Sequence, residues 1–252
     1  MGHANYIVSL IKFVKEREHA QTFINGSLFC KPWDSFRDSE EKQRGDRLEL
    51  VASKLGTEVY LPGIDRAYSF WLEDGDNRFA PVYCMYQLSS SKQASSMKLQ
   101  LKDARLKEFG NYGVVIKNTG EFIDRVNRNL PDFSYGLIKY IDFSDLKNKS
   151  AVFKTPILKK DATAFKHQRE FRIYNTRYAI TNNKNMENPN LEIIQPNEFG
   201  ASFFALGNIS DIAEIYSMDE LFLGVEINIQ NPISKNRLSK DAPAIVRAAP
   251  VI

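Results

Sequence analysis

The clearest pattern in the chain is an alternation late in its length. Phe171 and Ile173 interleave with Arg172 and Tyr174, the period-two signature of a half-buried strand over Glu170 to Asn175. Other apolar runs predict strands at Tyr6 to Phe13, Ser27 to Cys30 (closed by Pro32), Thr57 to Leu61, Tyr68 to Leu72 and Phe79 to Leu88. Further strands are expected at Tyr112 to Ile116, Tyr135 to Phe143, Leu191 to Ile194, Ser202 to Leu206 and Leu221 to Ile229.

Helical spacing appears in three places. Val14 to Ile24 sets Ala20, Phe23 and Ile24 on one side and ends at Asn25-Gly26. Leu101 to Phe109 stops at Gly110. Thr119 is placed to cap a helix over Gly120 to Leu130, whose stripe is Phe122, Ile123, Val126 and Leu130. Trp33 to Gly56, densely charged from Arg37 to Glu49, reads as a surface loop or a frayed helix; the serine-rich Ser89 to Ser96 and the polar Asn182 to Pro189 read as loops.

Strands do not alternate regularly with long helices, which argues against a doubly wound parallel sheet. The expected class is α+β: mixed or antiparallel sheets with a few flanking helices. Residues 1–230 read as a single catalytic domain and residues 231–252 as a basic C-terminal arm.

Composition narrows the class little. The 252 residues are 43% hydrophobic and 26% charged, ordinary for a globular protein. Aromatics reach 12%, which favours a β-rich core. The net charge of +3 does not by itself call for nucleic acid. Cys30 and Cys84 each sit in an apolar strand-like run and read as buried free thiols. Cys and His show no zinc spacing, and Asp65, Asp74, Asp76 and Asp161 no metal-ligand spacing. With neither a signal peptide nor a membrane-length apolar run, a cytoplasmic location and no membrane partner are expected.

Chemistry concentrates at Gln168-Arg169-Glu170. On a strand, residues two apart share a face, so Gln168 and Glu170 would project together at its entrance. A carboxylate held there could stabilise the oxocarbenium-like state of glycosidic cleavage while the amide orients a nucleophile. Glu16-Arg17-Glu18 is a control: a similar spacing inside a helix, where the two acids do not share a face. Upstream, Arg44-Gly45-Asp46-Arg47-Leu48-Glu49 fits either a turn with local ion pairs or a ligand site. Phe36 and Tyr86 fit either core packing or stacking on a ligand ring.

Gln168-x-Glu170 resembles the Gln/Glu-x-Glu element of mono-ADP-ribosyltransferases. The wider layout, with Gly26-Ser-Leu-Phe29, Phe36, Arg44 to Glu49, Tyr83 to Tyr86 and Phe165 to Arg172, is similar to bacterial and phage-associated proteins of toxin or defence type. The resemblance implies an ADP-ribosyltransferase-like fold that consumes NAD, with Glu170 catalytic and Gln168 orienting the acceptor. Arg44 would grip NAD, with Asp46, Phe36 and Tyr86 beside it. It implies a macromolecular acceptor, protein, RNA or DNA, and an antitoxin protein as a partner. The family's Ser-Thr-Ser element is not evident, although Ser89-Ser90-Ser91 follows a strand in the corresponding order. A histidine in the NAD-binding strand is absent from the expected place.

Two other readings compete. Lys159, Lys160, Lys166, Arg169 and Arg172 around the motif, with the basic arm, suit a nucleic-acid-binding or -processing protein that uses no NAD. Alternatively, the charged segment Arg37 to Glu49 could serve a non-enzymatic interaction module. The transferase reading predicts that Arg44 and Glu170 line one groove.

Overall fold

A computed structural model describes residues 6–37, 51–60, 67–73, 77–93, 95–142, 151–152, 155–176, 201–237 and 239–240. In chain order the strands are β1 (Tyr6–Val14), β2 (Ser27–Pro32), β3 (Val51–Tyr60), β4 (Ala67–Glu73), β5 (Pro81–Ser90) and β6 (Ser96–Leu99). They continue with β7 (Tyr112–Ile116), β8 (Ser134–Leu137), β9 (Lys139–Ile141), β10 (Ala151–Val152), β11 (Lys159–Asp161) and β12 (Glu170–Tyr174). The last are β13 (Ser202–Ala205), β14 (Ala213–Ser217), β15 (Val225–Asn228), β16 (Ile233–Ser234) and β17 (Ser239–Lys240). Four α-helices are described: α1 (Arg17–Ile24), α2 (Thr119–Asn129), α3 (Ala162–Phe165) and α4 (Met218–Leu223).

The class is α+β with mainly antiparallel sheets. Among the described residues, ten strands share the main sheet, in the order β14-β7-β1-β5-β12-β8-β17, with β2, β13 and β16 attached beside this path. β1 lies near its middle and buries Ile7 through Ile11 without a break, because both of its faces are covered. On one face α1 and α2 pack Phe23, Ile24, Phe122, Ile123 and Val126 over Leu10 and Val114. On the other, α4, a 3-10 segment at Ala104–Phe109 and β15 cover Val8, Ile11 and Val115.

Several elements differ from the sequence expectation. α1 starts at Arg17 rather than Val14, since Val14 pairs with Tyr112 in the ladder. Ala104–Phe109 is 3-10 rather than α-helical. Strand β3 begins at Val51, inside the stretch expected to be loop. Ser89 and Ser90 close β5, and Ser96 opens β6, so the serine-rich patch is strand at its two ends. The strand expected at Tyr135 to Phe143 divides into β8 and β9.

The expected strand Leu221 to Ile229 is instead helix α4 followed by β15. Ser217 and Glu220 form a reciprocal capping box, and Gly224 (φ +100°) turns the chain between the two elements. In α2 the cap is Asn118, whose side chain accepts from the Glu121 N–H; Thr119 is already helical. Past residue 230, β16 pairs with β1 and β17 with β8.

The decisive feature for the site is a split in the main sheet. β1 and β5 pair only as far as Ile11↔Tyr86. Beyond that point Lys12, Phe13 and Val14 continue on β7, while Val82 to Met85 continue on β12. Lys12 reaches across the opening: its Nζ donates to the Cys84 carbonyl at 2.9 Å and sits 4.0 Å from the centre of the Tyr83 ring.

Candidate functional site

β12 runs between β5 and β8, pairing Glu170 with Tyr86 and Arg172 with Cys84 across the β5 ladder. Phe171 and Ile173 enter the helix-covered core, as their alternation predicts. The intervening Glu170 and Arg172 face the other way, and they too are buried, at 6% and 0% exposure. The strand expected to be half-buried is therefore buried on both faces, an internal strand carrying an ion pair.

Glu170 is fully engaged. Arg172 Nε donates to Oε1 at 2.6 Å, and Lys160 Nζ donates to Oε2 at 3.0 Å. The Glu170 backbone N–H donates to Tyr140 Oη at 2.8 Å. Burial alone would push this carboxyl up. The charges of Arg172 and Lys160, with their hydrogen bonds, outweigh it and hold the pKa well below the usual carboxylate range. Arg172 is tied in turn through Nη1 to the Ile157 carbonyl at 2.7 Å. The Cys84 thiol lies beside Glu170 and is pushed up to about 12, first by burial and then by that negative charge.

Gln168 does not share a strand face with Glu170. It ends a 3-10 turn (Lys166–Gln168), and Arg169 then adopts a left-handed backbone at φ +42°. That residue is locked: its carbonyl accepts from the Gln87 N–H at 2.8 Å, and its guanidinium donates to Ser89 Oγ at 2.7 Å. The turn nevertheless brings Gln168 and Glu170 together, on a third residue. Lys160 Nζ is 2.7 Å from Gln168 Oε1 while it also holds Glu170. β11 sets this lysine in place by pairing parallel to β9, with Lys160 opposite Tyr140.

The sheet split opens into a cleft of about 550 Å³. Four residues singled out from the sequence line it: Gln168, Glu170, Phe36 and Tyr86. Phe36 also packs on the Trp33–Tyr174 cluster and stands 5.7 Å from the Arg172 guanidinium. Tyr86 stands 5.8 Å from the Phe13 ring and 5.8 Å from the Arg169 guanidinium. Both aromatics are thus partly core and partly cleft wall. Arg44 and Asp46, the remaining expected ligand-binding residues, lie outside the described residues.

Comparison with protein-family models, curated proteins and solved structures gives no match.

The cleft also contains residues that local sequence patterns did not single out. Lys12, Lys15, Lys31 and Lys160 line it, and among the described residues Glu170 is its sole carboxylate. Phe29 and Phe203 stand in its wall with partly exposed rings. A period-two signal was present at β2: Ser27, Phe29 and Lys31 face the cleft while Leu28, Cys30 and Pro32 are buried. Lys160 was read from the sequence only as one of the basic residues around the motif; it meets Gln168 and Glu170 through the fold. A related expectation is corrected: Lys159, Lys160 and Arg172 are buried, at 2%, 3% and 0% exposure, so they form no open phosphate-binding stripe. Among the described residues no cluster of His, Cys, Asp and Glu is arranged to hold a metal, and no helix is long and apolar enough to cross a membrane.

Chemically, the site is an ionised carboxylate at a strand end, held rigid by two buried cations and lining an aromatic cleft bordered by lysines. The lysines and aromatic rings around it suit a ligand that is flat and anionic.

Proposed function

We propose that this chain is an NAD-dependent mono-ADP-ribosyltransferase of toxin or phage-defence type, with an ADP-ribosyltransferase-like fold. One observation carries the reading: Gln168, Glu170, Phe36 and Tyr86, singled out from sequence for this chemistry, line one cleft at the point where β1 and β5 part. In this mechanism the nicotinamide–ribose bond breaks with its electron pair leaving on nicotinamide. Glu170 stabilises the positive charge on the ribose, and a nucleophile of the acceptor forms the new bond at the same carbon, releasing its proton to water. Gln168 orients that nucleophile. Phe36 or Tyr86 stacks on the nicotinamide or adenine ring. Lys12, which reaches across the split beside Glu170, supplies positive charge for the pyrophosphate, alongside the role assigned to Arg44.

The test is nicotinamide release and label transfer from radiolabelled NAD, with protein, RNA and DNA offered as acceptors. Glu170→Gln is expected to slow release by about 100- to 1000-fold, the usual cost of one preorganised electrostatic contact. Because that change leaves buried cations uncompensated, the double variant Lys160→Gln/Glu170→Gln serves as a second inactive form whose buried net charge equals that of the wild type, with Arg172 still charged. Wild-type protein that neither releases nicotinamide nor labels any acceptor would overturn the proposal.

A further inference from the structure

Phe29 of β2 and Phe203 of β13 lie directly opposite each other in an antiparallel pair. Their ring centres are 5.0 Å apart, tilted by 48°. Both are large apolar side chains left open, at 38% and 39% exposure, and both line the cleft. A core role does not explain them, since the residues flanking Phe29, Leu28 and Cys30, are fully buried beneath. Lys31 is exposed on the same strand face as Phe29, two residues along. Lys15 is exposed where α1 begins, and Lys12 bridges the split nearby. Cations therefore border an aromatic step, and the cleft's one described carboxylate, Glu170, is already compensated by Arg172 and Lys160.

We infer that this step is a binding platform for an unpaired base of a single-stranded nucleic acid, with Lys31 and its neighbours on the adjoining phosphates. Two open rings offer a stacking surface that any base can use, and the lysines match one negative charge per nucleotide. A duplex keeps its bases stacked on one another and cannot present one to a recessed step. A peptide supplies no regular run of negative charge. The inference rests on the transferase reading only in naming the strand as the acceptor; the binding itself needs no NAD.

The experiment is fluorescence anisotropy of a labelled mixed-sequence twelve-nucleotide DNA strand, its RNA counterpart and the matching DNA duplex, with the full chain at several salt concentrations. The single strands are expected to bind more tightly than the duplex. Phe29→Ala and Phe203→Ala should each weaken strand binding by about 5- to 150-fold, the range for loss of one base stack. Lys31→Gln should lower the salt slope by about 0.7. Phe29→Trp keeps a stacking ring; it should retain affinity and show tryptophan quenching when the strand binds. Thermal melts confirm that each variant is folded.

Unchanged affinity in the double alanine variant, or equal binding of duplex and strand, would overturn the platform. NAD gives the remaining arm, because its adenine and pyrophosphate share this chemistry. Displacement of the strand by NAD would assign the step to the dinucleotide and overturn the acceptor assignment; simultaneous binding supports it. Strand binding by a protein that never cleaves NAD would leave the platform standing and remove the transferase. NAD cleavage without strand binding would do the reverse.

Discussion

The guanidinium of Arg172 meets the carboxylate of Glu170 at 2.6 Å, two residues apart on one face of β12, in an interior where both are almost wholly shielded from water. A pair in such surroundings is costly to break from one side, because the charge that remains is buried and uncompensated. The Glu170 carboxyl titrates below its ordinary value of 4.5. Its contribution to stability is therefore complete above the unfolded-state value and is lost as pH falls towards the lower native one.

Glu170→Gln is expected to lose about 3–5 kcal/mol at neutral pH, because two buried cations are left without their counter-charge. Urea midpoints for variant and wild type, measured from pH 7 down to pH 3, should converge in the acid range. A gap that stays constant over that range would show that Glu170 is not held ionised. Adding Lys160→Gln should restore part of the loss, as expected for directly coupled groups.

The two thiols should be inert in the folded protein. Burial pushes Cys30 far up, and Cys84 is pushed up to about 12 from 9.0. For Cys84 the raised pKa leaves very little thiolate near neutral pH. Iodoacetamide at pH 8 should leave both unmodified in native protein and alkylate both in urea. Rapid native alkylation of Cys84 would contradict its placement beside a carboxylate.

How much of this was legible beforehand depends on how local each signal was. The Phe171/Ile173 alternation identified β12 because period two is a property of five consecutive residues. Gln168 was placed on that strand wrongly, since nothing in the local pattern announces a left-handed residue at a non-glycine position such as Arg169. Helix α4 had a local signal, the Ser217/Glu220 capping box, but the apolar run after it was read as continuous strand across Gly224. Lys160 and Lys12 were out of reach: each acquires its role by reaching another segment of chain, and a single sequence does not record such contacts.

Helix α2 separates a true cap from an apparent one. Asn118→Ala should cost about 1 kcal/mol, the usual value for a lost N-cap. Thr119, which looks like the cap in the sequence, has a buried hydroxyl with no hydrogen-bond partner among the described residues. Thr119→Val should accordingly be neutral or stabilising. Denaturant titration of the two variants decides this, and a larger loss for Thr119→Val would reverse the assignment.

Gly26 should tolerate no side chain. Its φ is +99°, and a Cβ there would lie 2.2 Å from the carbonyl carbon of Gly207. Its own carbonyl accepts from the Leu206 N–H at 2.7 Å, at the end of the β2–β13 pairing. Gly26→Ala should lose at least about 1–3 kcal/mol from backbone strain alone, before any steric displacement. The measured Tm should fall accordingly, with the register that seats Phe29 opposite Phe203 disturbed.

Strand β5 has a consequence for when this molecule can work. It hydrogen-bonds to β1, β2 and β12, so its neighbours span the chain from residue 6 to residue 174. Such distant pairings close slowly and late, because the loops between them must first be brought together. A growing polypeptide released from the ribosome up to β5 would possess Lys12, Lys15, Lys31, Phe29, Phe36 and Tyr86 of the cleft but not Lys160, Phe203 or the Glu170 carboxylate. The cleft is therefore incomplete until well over half the protein has emerged.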